Sequence, residues 1–291
     1  MSQSADQTES SPESSPEEVV FWHVNDIDWT EVQRQQNADG SVSVVREKWP
    51  IIRPGFLSAH VHYEPGMIVR RHGHRSNHVV FVLGGGGWIG GDWSAPGTHI
   101  HVPLGAAFGP IVAGPEGLTC WELSFGEFGG WGDQPELYEQ EIAARGVSPL
   151  PDPPLDIGDW FVDPRGDWGG ERPSPKVDGV VSVVSNVGAP GSTRGAGEPD
   201  DGGSISAVRE QLPIDLTDFT SAYVEVDPGA VIETRGHRGH RVVWIVEGGA
   251  WCGDRWSPAG THVELADGVP FGPIAAGDDG VVFLELTDGG R

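Results

Sequence analysis

The chain repeats itself. "GSVSVVREKWP" from Gly40 returns as "GSISAVREQLP" from Gly203, and "EPGMIV" around Gly66 returns as "DPGAVI" around Gly229. "DWSAPGTHIHVPLGAAFGPIVAGPEG" over 92–117 matches "RWSPAGTHVELADGVPFGPIAAGDDG" over 255–280. Each pair is 163 positions apart, so residues 40–125 align with 203–288 without a gap. Two copies of one module must satisfy one architecture twice, and this bounds the fold before any single element is read. A chain of 291 residues is long enough for two cores of ordinary domain size.

Within each copy, runs rich in Val, Ile, Phe and Trp alternate with Gly, Pro, Asp and Ser clusters every 8 to 12 residues. That spacing predicts an all-β fold, a sandwich or barrel of antiparallel strands. "FLSAHVHYEP", "GMIVRRH", "HVVFVLG", "THIHVP" and "AAFGPIVAG" are the clearest strands of the first copy. One helix is expected, in "GDQPELYEQEIAARG", with Asp133 as its cap, Pro135 in its first turn and Gly146 at its end. The chain therefore divides into an acidic tail over 1–18, a first β module over 19–130, a helical connection over 131–158 and a second module over 159–291. The tail is read as disordered, because its Ser, Glu, Gln and Pro content cannot bury enough surface to offset ordering entropy. "DWFVDPRGDW" echoes "FWHVNDIDW" and is expected to add an entry strand to the second copy.

Charge removes whole classes of partner. With 43 acidic and 18 basic residues, a net charge of −25 and a pI near 4.6, the surface repels nucleic acid and anionic membranes. No apolar run is long enough to span a bilayer, and the first residues lack the basic start and apolar middle of a secretory signal. Cys120 and Cys252 lie far apart with no redox or metal spacing, so buried thiols in a reducing cytoplasm are expected.

"HGHRSNHVVFVLGGGG", residues 72–87, carries the chemistry. If "RSN" over 75–77 is a three-residue hairpin loop, His74 and His78 face each other, with Cβ atoms about 4.5–5.5 Å apart. His72 shares the face of His74 by the period of two, so three imidazoles converge within reach of a metal ion. The bland alternative, three solvated turn histidines, fits the apolar flanking strands poorly.

These residues resemble the cupin superfamily in its duplicated, bicupin form. Its first motif, Gly, five residues, His-x-His, three or four residues, Glu, six residues, Gly, is matched by Gly66, His72, His74, His78 and Gly85. Its second, Gly, five residues, Pro-x-Gly, two residues, His, is matched by Gly97, Pro103, Gly105 and Phe108. The resemblance implies two tandem jelly-roll barrels and a metal-dependent activity. Two departures matter: His78 stands where the family has glutamate, and Phe108 where it has its last histidine. The implied metal set is His72, His74 and His78, with Phe108 an apolar wall and open positions for substrate. A fourth ligand could come from His60, His62 or His101.

The second copy is an internal control. His72, His74 and His78 become Arg235, His237 and Arg241. Permanently charged guanidinium groups repel a metal, so the second barrel is expected to be metal-free and structural. His60, His62 and His101 become Tyr223, Glu225 and Glu264, whereas His99 keeps His262, which favours a structural role for His99. If their strand faces line the barrel, His62 and His101 form a proton relay and His60 lines the substrate pocket. Arg70, on the face of His72, could pair an anionic substrate.

Three-histidine cupins resemble the dioxygenases that cleave β-diketones or hydroxyacetophenones, and "HVPxGxxFGP" also resembles the ChrR-type proteins. The resemblance implies an Fe(II) dioxygenase of a small oxygenated, aromatic or diketone-like compound. Nickel, manganese, zinc and copper fit the same ligands, as do a lyase or isomerase and a non-enzymatic zinc or metabolite sensor. The implied partner is a small molecule, with a homodimer compatible with the fold.

Overall fold

The computed structural model describes residues 19–53, 55–155, 182–184, 194–195, 208–215 and 219–288. The acidic tail and the segment "DWFVDPRGDW" lie outside the described residues. No described helix is long and apolar enough to cross a membrane.

The first copy begins with β1 (Val19–His23), β2 (Thr30–Gln36), β3 (Val42–Arg53), β4 (Phe56–Tyr63) and β5 (Ile68–Val69). It continues through β6 (His72–Ile89), β7 (Asp92–Ser94), β8 (His99–Val102) and β9 (Ile111–Gly132) to α1 (Pro135–Arg145) and β10 (Ser148–Pro149). After the short β11 (Ser182–Val184) and β12 (Arg194–Gly195) come β13 (Val208–Asp215), β14 (Phe219–Val226) and β15 (Val231–Ile232). The chain closes with β16 (His240–Cys252), β17 (Arg255–Pro258), β18 (Thr261–Leu265) and β19 (Ile274–Asp288). β14 and β15 sit 163 positions after β4 and β5, end for end, so the duplication seen in the sequence is a duplication of structure.

Two large sheets result. The first runs β10-β2-β3-β4-β9-β6-β8-β11, with β5 on β9 and β7 on β6. The second runs β1-β18-β16-β19-β14-β13-β12, with β15 on β19 and β17 on β16. Every pairing between the strands is antiparallel, as the alternating runs and short turns predict.

Each sheet wraps one apolar core. Val61, Tyr63, Val80, Val82 and Ile100 fill the first barrel. Val224, Val243, Ile245 and Val263 fill the second. A third cluster lies between the copies and draws equivalent residues from both: Ile51 and Ile214, Phe56 and Phe219, Val79 and Val242, Trp121 and Leu284. The outer face of each sheet is thus buried against the other.

The chain ties its halves together by exchanging strands. β1, at the start of the chain, pairs with β18 in the second sheet, Val19 opposite Leu265 and Trp22 opposite His262. β11, from the connection, pairs with β8 in the first sheet, Ser182 opposite His101 and Val184 opposite His99. Each barrel is therefore edged by a strand from outside its own contiguous repeat, which covers backbone groups that would otherwise be open to aggregation.

The helix forms where its sequence predicts, but it is capped differently. Gln134 occupies the N-cap in the left-handed region, φ 44°, with no side-chain cap bond. Asp133 instead accepts from Arg71 Nε at 2.9 Å. Two charges placed to pair outcompete a single N-terminal amide. Pro135 opens the first turn, and Gly146 closes the helix at φ 64° with its N–H on the last turn, the left-handed role glycine fills without strain.

Candidate metal centre

His72, His74 and His78 lie on one strand rather than around a hairpin tip. β6 starts at His72 and runs on through "RSN", with a bulge between His74 and Ser76. The expected three-residue loop is absent because β9 is long enough to pair the whole stretch: Gly132 opposes His72, Gly130 opposes His74 and Ser124 opposes His78. The convergence nevertheless forms. Ring centroids are 5.0 Å apart for His72 and His74, and 4.6 Å for His74 and His78, both pairs edge to face.

The part of β9 that holds this stretch, Gly126–Gly132, continues past the end of the duplicated region. Its Trp131 is buried, and a Cβ on Gly73 would stand 2.1 Å from the Trp131 ring and 2.4 Å from the Ala106 carbonyl. Glycine between the two histidines is therefore required by packing. The equivalent Gly236 has nothing within 4 Å of such a Cβ, and there β16 starts only at His240.

Two of the three rings have fixed tautomers. His72 Nδ1 donates to the Arg70 carbonyl at 2.7 Å, which places a ring proton on Nδ1. His78 Nε2 lies 3.2 Å from the Glu122 carboxylate, and its buried Nδ1 has no hydrogen-bond partner. Glu122 accepts in turn from the Tyr63 hydroxyl at 2.7 Å. A carboxylate or carbonyl that orients a histidine in this way is the usual outer partner of a metal ligand. Burial lowers His72 to about 4 and His74 well below the ordinary value, so both are neutral donors at pH 7. Burial alone would lift the Glu122 carboxyl, but the hydrogen bonds from His78 and Tyr63 bring it below the usual range.

Phe108 stands beside the three histidines. Its ring is 4.6 Å from His72 and 5.3 Å from His78, and its backbone exchanges hydrogen bonds of 2.8 and 3.0 Å with His72. The donor chemistry fits a divalent ion: imidazole nitrogens, one of them a buried orphan, next to an apolar wall. Among the described residues no group of three or more His, Cys, Asp or Glu side chains is placed to hold a metal ion, so ligation by these three histidines requires their donors to move from the positions described.

The other predicted residues lie elsewhere. His60 and His62 alternate with Val61 and Tyr63 on β4; the latter pair point into the barrel and the histidines point out. His60 packs between Trp29 and Trp244 of the second copy, each 5.3 Å away, and His62 Nδ1 bonds Thr119 Oγ1 at 2.9 Å. His101 stacks on Phe219 at 5.9 Å. None of the three joins the cluster, because the outward face of the sheet is itself buried and alternation alone does not say which apolar face is the interior. Arg70 is also turned away, exposed and packed 5.1 Å from the Tyr138 ring of α1. His99 is buried between the copies, 3.1 Å from Ser221 Oγ, and its counterpart His262 is 3.3 Å from Ser58. Since Ser58 and Ser221 are equivalent by the same offset, this is one contact made twice across the pseudo-twofold.

Glu122 and Tyr63 escaped the sequence reading. An acidic residue recurs in the same place of an otherwise apolar strand, "CWELSF" and "FLELTD", and that repetition was the available signal. The second copy answers it with a different pair, Glu285 accepting from Arg241.

No protein-family model matches the sequence, and no curated protein is significantly similar to it. Solved structures are similar in fold. A candidate dioxygenase from Nostoc punctiforme superposes with a TM-score of 0.62 at 11% identity, over 94% of this chain and 83% of that one. A variant of Bacillus subtilis oxalate decarboxylase gives 0.56 at 16% identity over 93% and 77%, and another gives 0.53 at 17% over the same shares. The repeated antiparallel sheets and these likenesses show a fold shared with those solved structures, two all-β modules in tandem, which is the architecture that the resemblance to duplicated cupins implies.

Proposed function

We propose that the chain is a metal-dependent cupin enzyme, a non-haem Fe(II) dioxygenase of a small oxygenated, aromatic or diketone-like compound, with its centre in the first barrel. The observation that carries this reading is the convergence of three imidazoles, two of them with tautomers fixed by Arg70 and Glu122. A bound divalent ion would supply Lewis-acid polarisation and, as iron, electron transfer to oxygen. The residues of the chain do the rest. Glu122 and Tyr63 hold the His78 ring, the Arg70 carbonyl holds His72, and Phe108 excludes water from the open side. The fold is shared with solved structures described as a candidate dioxygenase and an oxalate decarboxylase, which is compatible with either an oxidative or a lyase reaction.

One observation favours a second reading. His78 and Phe108 are only 1% and 2% exposed, and donors packed so closely also suit a tightly held structural ion such as zinc in a sensor. Metal analysis and oxygen uptake on the full chain separate the two. His74→Ala is expected to abolish metal content, whereas His237→Ala leaves it unchanged. Stoichiometric four-coordinate zinc with no oxygen uptake on any diketone or phenol would overturn the dioxygenase reading, and metal retained after His74→Ala would overturn the site.

A further inference from the structure

A large cavity lies in the barrel that lost the metal donors. It encloses about 730 Å³, a volume typical of small-molecule sites, and Val224, Ile232 and Phe283 give it apolar walls. Arg235, His237 and Arg241 reach it from one side. These are the positions of His72, His74 and His78, so the constellation is kept while two neutral donors are exchanged for two cations.

The polar groups there are incompletely matched. Arg241 is buried, 6% exposed; Glu285 takes one of its terminal nitrogens, and its Nε–H has no partner. His237 lines the same cavity, half-buried beside Arg241. Burial and the neighbouring Arg241 charge keep that imidazole neutral, so it offers one donor and one acceptor. Arg235 stands exposed at the mouth, and no carboxylate pairs with it among the described residues. Buried donors without acceptors are costly, and an acceptor supplied by a ligand removes that cost.

We propose that the second barrel is a binding site for a small organic monocarboxylate, with its carboxylate on Arg235 and Arg241 and its apolar body against Val224, Ile232 and Phe283. A planar carboxylate matches the guanidinium fork, which is why Arg rather than Lys suits this role. The single charge follows from Glu285, which already neutralises part of Arg241, and from Glu210, which lines the same cavity; both would repel a second negative group. The site is independent of any metal in the first barrel.

Calorimetric titration of the full, chelator-treated chain tests this with benzoate and hexanoate as probes, and with benzamide and inorganic phosphate as controls. Both carboxylates are expected to bind and benzamide not to bind. Arg235→Gln should weaken benzoate by about tenfold or more without moving the melting temperature of the free protein, and Arg235→Lys should restore part of the loss. No heat from either carboxylate up to about 10 mM, equal binding of benzamide, preference for phosphate, or an unchanged affinity in Arg235→Gln would each overturn the proposal.

Discussion

Gly73 illustrates how much one missing Cβ can decide. The rings of His72 and His74 converge only because the chain between them lies flat against Trp131 and Ala106. Adding a methyl group at 2.1 Å from a buried indole forces either the indole or the strand to move. Overpacking of this kind costs about 1–3 kcal/mol, and the movement falls on the metal donors themselves. Gly73→Ala should therefore lower the denaturation midpoint and weaken metal uptake. Gly236→Ala, at the equivalent open position, should change stability by less than about 0.5 kcal/mol. Paired unfolding curves of the two variants decide the matter, and equal effects would show that Trp131 does not dictate the glycine. The sequence alone could show that a glycine recurs between the two positions. It could not show that only one of them is indispensable, because Trp131 lies beyond the repeat.

At the scale of elements, the runs that alternate in hydrophobicity were legible as strands, and β4 with β14 and β5 with β15 fall where the 163-residue offset puts them. What pairs with what was not legible. "VVFWH" reads as a strand from its side chains, but pairing uses the backbone, and the backbone of β18 offers the same ladder to any partner. The faces of β4 and β8 were ambiguous for a related reason: both sides are buried, one in the barrel and one against the other copy, so His60, His62 and His101 carried no mark of direction. The exchanged strand makes a prediction. Val19 and Phe21 pack against the second core, and deleting residues 1–23 should cost the second barrel about 2–4 kcal/mol. Hydrogen exchange should then show the β18 amides that face β1 losing protection, with those of β8 unchanged. Unaltered exchange over Thr261–Leu265 would mean that the strand contributes nothing to holding that edge.

For the whole molecule, the plane between the copies contributes to the response to acid, together with His72 and His74 in the first barrel. His99 and His262 are buried in that plane, and His60 is half-buried beside them. Burial, then the nearby charges of Lys48 and His62, lowers His60 to about 4. Burial, then His101, lowers His99 to about 3, and burial with His60 and His23 takes His262 well below the ordinary value. The direction of the effect follows from linkage. In the unfolded chain these groups take up protons near pH 6.5, while the folded chain keeps them neutral to a lower pH. The unfolded state thus binds more protons between the two values, so stability is complete above about pH 6.5 and is lost as pH falls toward 4 for His60 and 3 for His99. Each pKa unit of separation corresponds to about 1.4 kcal/mol. Because the contacts Ser58 to His262 and Ser221 to His99 are equivalent, protonation acts on both halves of one interface at once. Denaturant unfolding followed from pH 8 to pH 4 should show a steepening fall in stability below pH 6.5. The double variant His99→Asn with His262→Asn should flatten that dependence while leaving less stability at neutral pH. If the wild-type slope persists in the double variant, the acid sensitivity resides outside the interface, and the paired histidines are spacers rather than titrating latches.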